Sequence, residues 1–172
     1  FSKFIFGEDN DTLPSVLIKE LTKRNETIVF AESCTGGLLS ASLTSISGSS
    51  QVFKGSIVSY SNEIKKSLLN IPKNLIKKCG AVSEEVAENM AINAKEILNS
   101  DWSIAISGIA GPNGGSKDKP VGLVYITIVG PNDHITNIKK IFSSTRNRIE
   151  IQRLSVNVCL NSLRLILLSI SK

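Results

Sequence analysis

Apolar and polar positions follow two different periods along the chain, one typical of helices and one typical of strands. Apolar residues at helical spacing predict a first helix capped by Asp11 and a long helix that opens at Ser83. Short apolar runs between the helices are typical of buried strands, and the last two runs form a hairpin. The predicted strands cover residues 27–32, 55–60, 102–110, 121–129 and 134–142. This order predicts an α/β fold, a three-layer α/β/α sandwich with a mixed, mostly parallel sheet.

The last predicted helix, residues 146–171, is apolar on more than one face. Packing against one side of a sheet does not consume that much hydrophobic surface, so the pattern predicts a homodimer that buries the excess. Alternatively, a further N-terminal domain buries this hydrophobic surface. Polar residues at Asn157, Asn161 and Arg164 interrupt the most apolar stretch, which argues against a membrane-spanning helix.

Length and composition are those of one globular domain. The chain has 172 residues, of which 41% are apolar and 20% are charged, enough for one buried core and too few for two full domains. The formal net charge of +5 favours anionic partners, but lysines and arginines are spread along the whole chain. A solvated basic surface therefore ranks above nucleic-acid binding.

Cysteine usage indicates reduced thiols. Cys34, Cys79 and Cys159 are far apart, odd in number and outside any CxxC or Cys/His pair. This pattern indicates neither a disulfide framework nor a zinc site. We therefore expect a cytoplasmic protein.

Several common catalytic sites are excluded by the residues present. The single histidine, His134, follows the turn "GPND" and is remote in sequence from the serine-rich loops, which argues against a Ser-His-Asp triad. One histidine and scattered carboxylates offer no cluster of metal ligands, and the P-loop pattern GxxxxGK[ST] is absent. Acid–base chemistry is left to lysine, tyrosine and serine.

Three such residues occur in the segment that contains the second predicted strand. Ser50 precedes this strand, Tyr60 ends it and Lys65 lies in the helix that follows. A lysine is a base at neutral pH only if burial or a neighbouring cation lowers its pKa, and serine activated by lysine is an established arrangement. The residues alone also fit a structural interpretation, in which Ser50 forms a turn, Tyr60 is an edge-strand aromatic and Lys65 is solvated.

Two glycine-rich loops follow predicted buried strands. "SCTGG" links a strand to a helix, so its backbone N–H groups either bind an anion or form a tight turn. "GPNGGSKDKP" is long and rich in glycine, which favours a substrate loop over a plain connection. Glu32, at the end of the first strand, is either a ligand contact or the partner of a lysine.

The motifs "AESCTGG", "GSS", "YSNEIK", "GAVSEE" and "SGIAGPNGGS" followed by "KPVG" occur in this order. Together they resemble the nicotinamide-nucleotide amidohydrolase family, which includes the C-terminal domain of the competence-damage-inducible CinA proteins. The resemblance extends from about residue 10 to the last helix. It implies that residues 1–10 are an N-terminal extension or interdomain linker and that residues 11–172 form one domain.

The resemblance implies hydrolysis of the carboxamide of nicotinamide mononucleotide, giving nicotinate mononucleotide and ammonia without a cofactor or metal. Matched to the family, Ser50 would be the nucleophile, Lys65 the base and Tyr60 a proton-transfer partner. Ser33 and Ser49 are the next candidate nucleophiles. The alternative is a non-catalytic module that binds a pyridine nucleotide or nucleic acid.

A set of substrate-binding residues completes the predicted site, and the 5′-phosphate is expected at "SCTGG" together with an arginine at the start of the last helix. The predicted binding residues are Glu32, Ser33, Thr35, Gly36, Gly37, Ser107, Gly108, Gly111 and Arg146.

Overall fold

The computed structural model describes residue 7 and residues 10–170. Within these residues the chain alternates between helices and strands, and a 3-10 turn, Ser49–Gln51, precedes the second strand. The helices are α1 Leu13–Arg24, α2 Leu38–Thr44, α3 Asn62–Leu68, α4 Lys73–Cys79, α5 Glu84–Ile97 and α6 Arg148–Ser169. The strands are β1 Ile28–Glu32, β2 Phe53–Val58, β3 Trp102–Gly108, β4 Leu123–Val129 and β5 Ile135–Ile141.

The five strands form one mixed sheet in the order β2-β1-β3-β4-β5. Strands β1, β2 and β3 are parallel, whereas β4 and β5 run antiparallel to their neighbours as a hairpin. All five residues of β1 are buried, as expected for a strand covered on both faces. The predicted three-layer α/β/α sandwich with a mixed sheet is confirmed.

Each face of the sheet carries its own hydrophobic core. On one face, α1, α2 and α6 contribute residues such as Leu17, Leu43 and Leu160, which pack with Phe30 and Ile104 of the sheet. On the other face, α5 contributes residues such as Met90, and these pack with the connection between α3 and α4. Both faces of β1 and β3 are therefore closed to solvent, and ligand access to them is left to the strand ends.

Local capping moves two predicted helix starts. Thr12, not Asp11, caps α1, because Thr12 and Ser15 form a capping box while Asp11 pairs with Lys19 at 2.6 Å. Helix α6 begins at Arg148 rather than at residue 146, because the side chains of Asn147 and Glu150 form a second capping box. Helix α4 was not predicted, and β2 covers residues 53–58 rather than 55–60.

Helix α6 is the one described helix that is long and apolar enough to cross a membrane, with a mean hydropathy of 1.2. This is weak evidence for a span, because 44% of that stretch is buried inside the domain and core helices share these properties. The helix still leaves Ile149 and Leu168 exposed at its two ends. Whether a second copy of the chain covers them stays a prediction.

The central strand β3 allows a direct test of the core. We expect Ile104→Ala to lower the free energy of unfolding by about 2–5 kcal/mol, because the fully buried side chain leaves a cavity between packed layers. The matched control is Ile141→Ala in the edge strand β5, where the side chain is 61% exposed and the expected change is within about 0.5 kcal/mol. Urea denaturation measures both, and equal losses would contradict the assignment of Ile104 to the core.

Candidate active site

The carboxyl ends of the three parallel strands meet at one edge of the sheet. Strand β1 lies between β2 and β3, so the chain order reverses at β1, which is where open α/β sheets bind ligands. A cavity of about 270 Å³ lies at this edge. Its walls come from the loops that follow all three strands, from the start of α3 and from the start of α6.

Lys65 lies at the bottom of this cavity with only 1% of its surface exposed. Ser61 caps α3, which directs Lys65 toward the end of β1. There Lys65 Nζ lies 2.9 Å from Ser33 Oγ, 2.6 Å from the carbonyl oxygen of Ser59 and 3.5 Å from that of Tyr60. A serine, a lysine and two backbone carbonyls therefore form one hydrogen-bonded group.

Burial shifts the protonation equilibrium of Lys65 toward the neutral amine. Removal from water lowers the pKa of the Lys65 amine below its usual 10.5. A neutral amine has two N–H groups and one lone pair, and the two carbonyls can accept only hydrogen bonds. The lone pair then faces the Ser33 hydroxyl, which can donate its proton to nitrogen. This arrangement can activate a serine without a histidine.

The loop that carries Ser33 is anchored by the adjacent Glu32. The Glu32 side chain is fully buried and accepts hydrogen bonds from the backbone N–H groups of Gly37, Leu39 and Ser40 and from the Ser40 hydroxyl. Glu32 is therefore not a substrate contact, and that prediction is wrong. The carboxylate satisfies N–H groups at the start of α2, so these donors are not available to a phosphate.

The remaining residues of "SCTGG" lie beside the cavity. Gly36 and Gly37 adopt positive φ angles of 63° and 101°, which turn the chain sharply from β1 into α2. Together with Thr35 they line a neighbouring depression, next to Gln152 of α6. The structure does not bring Thr35, Gly36 or Gly37 into the wall of the Lys65 cavity.

The loop after β3 forms the opposite wall. Ser107, Gly108 and Gly111 all line the Lys65 cavity, as the sequence predicted for a substrate loop. The Ser107 hydroxyl donates a 2.8 Å hydrogen bond to the carbonyl oxygen of Ala81, which lies in the same wall. Whether these residues contact a substrate stays a prediction.

Ser50 lies outside the cavity, and its predicted pairing with Lys65 is wrong. Ser50 is exposed in the 3-10 turn that precedes β2, whereas Lys65 follows β2. The strand has six residues, so Ser50 lies about 20 Å from the edge of the sheet that carries Lys65, at about 3.3 Å per residue. The structure brings Ser33 to Lys65 instead.

Tyr60 lines the mouth of the cavity without touching the lysine through its phenol. The residue is 61% exposed, and its hydroxyl accepts a 2.8 Å hydrogen bond from Arg148. Arg148 also donates to the carbonyl oxygen of Gly111 at 2.9 Å. One guanidinium thus bridges the loop after β2 and the loop after β3.

Arg148 occupies the position that the sequence analysis assigned to Arg146. Arg146 does not line the Lys65 cavity; it lines a larger adjoining cavity of about 560 Å³, whereas Arg148 lines both. We place the chemistry in the smaller cavity because it contains the buried lysine. The run "RNR" contains both arginines, and only the capping box at the start of α6 decides which one faces inward.

The sequence analysis missed part of the cavity wall. Asn62, Ala81, Val82, Asn113 and Gly114 also line the cavity. The motifs "YSNEIK", "GAVSEE" and "SGIAGPNGGS" contain these residues, so the motifs were the available signal.

Residues 10–167 match the family model of the CinA C-terminal domain. The chain belongs to this family. Over all 172 residues, the chain is 83% identical to a CinA-like protein of Prochlorococcus marinus subsp. pastoris (strain CCMP1986 / NIES-2087 / MED4). The match covers 40% of that protein. A CinA-like protein of Synechococcus sp. (strain RCC307) is 48% identical over 93% of the chain and 38% of its own length. The chain thus spans about two fifths of the curated relatives it matches.

Solved structures share the whole CinA domain. The competence/damage inducible protein CihA from Agrobacterium tumefaciens is 34% identical with a TM-score of 0.88, covering 95% of this chain and 98% of that one. A competence-damaged protein (CinA) superfamily protein from Klebsiella pneumoniae 700603 is 26% identical with a TM-score of 0.87, covering 92% of this chain and 97% of that one. The family predicted from the sequence motifs is confirmed.

Cys34 lines the Lys65 cavity of the CinA domain and is the alternative nucleophile there. Burial raises the pKa of the Cys34 thiol to about 12, so the sulfur stays protonated at neutral pH. Across residues 10–170, no group of three or more His, Cys, Asp or Glu side chains could hold a metal ion. The Ser33 hydroxyl, in contrast, lies within hydrogen-bond distance of the Lys65 amine.

The anchoring role of Glu32 in the CinA domain is testable. We expect Glu32→Gln to lower the free energy of unfolding by about 1–3 kcal/mol, because an amide nitrogen cannot accept the hydrogen bonds that the carboxylate accepts. The control is Glu96→Gln on the exposed side of α5, which should leave the unfolding midpoint unchanged. Chemical denaturation of both variants measures the difference, and a Glu32→Gln protein as stable as the control would contradict the role.

Proposed function

We propose that this CinA domain hydrolyses the carboxamide of nicotinamide mononucleotide, with Ser33 as nucleophile and Lys65 as base. The observation that carries the proposal is the 2.9 Å hydrogen bond between Ser33 Oγ and Lys65 Nζ at the bottom of a cavity. The chemistry comes from this pair, and the choice of substrate comes from the sequence motifs shared with nicotinamide-nucleotide amidohydrolases.

The first step forms an ester with the enzyme. Neutral Lys65 accepts the proton of Ser33 Oγ while the oxygen attacks the carboxamide carbon, and the carbonyl oxygen becomes an oxyanion. The resulting Lys65 ammonium then transfers the proton to the departing nitrogen, so that ammonia leaves and Lys65 is neutral again. Water, deprotonated by Lys65, attacks the ester carbon, and the Ser33 oxygen takes back a proton as the carboxylic acid is released.

Backbone donors for the oxyanion lie next to the nucleophile. Ser33 is on a sharp turn from a strand into a helix, and on such turns the N–H of the following residue can stabilise the oxyanion. In the described part of the chain, the N–H groups of Cys34 and Thr35 donate to no oxygen. The Cys34 N–H is the better placed of the two, because Cys34 lines the Lys65 cavity.

The rim of the cavity suits an anionic substrate. Arg146 and Arg148 at the start of α6 form no salt bridge within residues 10–170. The Arg148 guanidinium binds two oxygens in the free domain and has further N–H donors to offer. A phosphate bound here would neutralise these cations and leave the pyridine ring to enter the cavity toward Ser33.

The decisive test compares two serines. We expect Ser33→Ala to reduce ammonia release from nicotinamide mononucleotide by at least about 1000-fold, because the variant lacks the attacking oxygen. Ser50→Ala should retain activity close to that of the unaltered domain, since Ser50 lies at the far edge of the sheet. An ammonia assay on the purified proteins measures both.

The same assay separates the alternatives. If Ser50→Ala is inactive and Ser33→Ala is active, the assignment of the nucleophile is wrong. If the unaltered domain binds nicotinamide mononucleotide and releases no ammonia, the domain is a nucleotide-binding module rather than a hydrolase.

The lowered pKa of Lys65 sets the pH dependence. Because the neutral amine is the active form, kcat/KM should rise with pH through this lowered pKa and level off above it. Lys65→Arg should be inactive over the whole range, since a guanidinium does not release its proton. Lys66→Arg is the matched control on the exposed side of α3 and should keep the profile. Activity in Lys65→Arg that is independent of pH would contradict the role as base.

A further inference from the structure

The segment between α4 and α5 has an unusual set of hydrogen bonds. The four consecutive carbonyl oxygens of residues 79–82 each accept a hydrogen bond from a side chain. Lys119 Nζ binds those of Cys79 and Val82 at 2.6 and 2.7 Å. Ser83 and Ser107 hydroxyls bind the other two, at 3.0 and 2.8 Å. The end of α4 and the irregular segment that follows it are thus held in place by side chains.

Lys119 makes the longest-range of these contacts along the chain. It belongs to the glycine-rich loop after β3, in a tight turn where Lys119 N–H donates to Ser116 Oγ and Ser116 N–H donates to the Lys119 carbonyl oxygen. Among the described residues, Lys119 forms no salt bridge, so its ammonium is stabilised by two carbonyl oxygens. Hydrogen bonds from a charged donor are about twice as strong as neutral ones.

The two segments that Lys119 joins are both walls of the Lys65 cavity. Ala81 and Val82 line it from the α4–α5 connection, and Gly111 and Gly114 line it from the glycine loop, while Lys119 itself lies outside. Across the described chain the N–H groups of Ala81 and Val82 have no hydrogen-bond acceptor, so they remain free for a ligand. These two N–H groups lie between the Cys79 and Val82 carbonyls that Lys119 binds, so Lys119 holds the segment on both sides of them.

Gly80 leaves the space that the ammonium occupies. A Cβ atom at this position would lie 2.8 Å from Lys119 Nζ, and the Gly80 φ angle of +77° is one that other residues rarely adopt. Glycine at 80 and lysine at 119 therefore fit each other, although 39 positions separate them along the chain.

We propose that Lys119 is a positioning residue for substrate binding, which fixes the Ala81–Val82 wall against the glycine loop. The expected effect of Lys119 on substrate turnover rests on the proposed function. The tie, meaning the hydrogen bonds by which Lys119 connects the two walls, does not. Lys119 touches neither Ser33 nor Lys65. Its substitution therefore changes the shape of the free cavity rather than the chemical step.

The test compares two lysines of the same loop. Lys119→Met and Lys117→Met each remove one charge, but Lys117 is exposed and forms none of the described hydrogen bonds. We expect Lys119→Met to raise KM for nicotinamide mononucleotide roughly tenfold, the weight of one hydrogen bond to a charged group, with kcat nearly unchanged. Lys117→Met should match the unaltered domain in both constants.

Hydrogen exchange on the free domain provides a readout that does not depend on activity. In Lys119→Met, the amides of residues 80–82, 111 and 113–115 should exchange faster than in Lys117→Met, while those of α1 stay the same. Lys119→Arg should restore part of the protection, because it keeps the charge and the donors. Gly80→Ala should reproduce the faster exchange with Lys119 still present.

Each outcome decides the proposal. Exchange rates in Lys119→Met and Gly80→Ala equal to those of Lys117→Met would overturn it, and so would a loss confined to kcat. If Lys119→Met fails to fold, Gly80→Ala and Lys119→Arg still test the tie through the same amides. If the unaltered domain releases no ammonia, the proposed function fails, and the exchange contrast alone supports or overturns the tie.

Discussion

The burial of the Lys65 amine against Ser33 is the constraint on which the site depends. An amine removed from water requires partners, and here they come from two places: the Ser33 hydroxyl after β1 and two carbonyl oxygens after β2. Because β1 and β2 are parallel, their carboxyl ends lie at the same edge of the sheet. The parallel half of the sheet therefore does more than fill a core, because it fixes the distance between the Ser33 hydroxyl and the Lys65 amine.

A second constraint is the separation of charges around that pair. Glu32 follows the apolar run of β1 and directs its carboxylate at the start of α2, so the N–H groups of the glycine turn are bound by the protein's own anion. An anionic substrate must find its cations elsewhere, and the start of α6 places Arg148 at the rim of the Lys65 cavity and Arg146 beside it in the adjoining cavity. Within residues 10–170, Lys65 at the bottom of the cavity forms no salt bridge, and the two arginines lie near the entrance.

The walls of the cavity are irregular segments, and side chains from distant parts of the chain hold them in place. Arg148 links the loops after β2 and β3, and Lys119 links the glycine loop to the connection before α5. Lys119 binds two carbonyl oxygens, and Arg148 binds one carbonyl oxygen and the Tyr60 hydroxyl, so neither contact adds a carboxylate near the substrate. The same fold in solved relatives with 26–34% identity indicates that this framework tolerates wide sequence change.

The sequence by itself determined the alternation of helices and strands, the two-sided burial of β1 and the motifs that supply serine, lysine and glycine, because apolar periodicity and turn chemistry are local. It paired Ser50 with Lys65, whereas the folded chain brings Ser33 to the lysine, because the pairing of the strands is not readable from local pattern. It named Arg146 and not Arg148, although Arg148 is the arginine that lines the Lys65 cavity. Only the tertiary structure decided these contacts, because they join residues 32 to 88 positions apart.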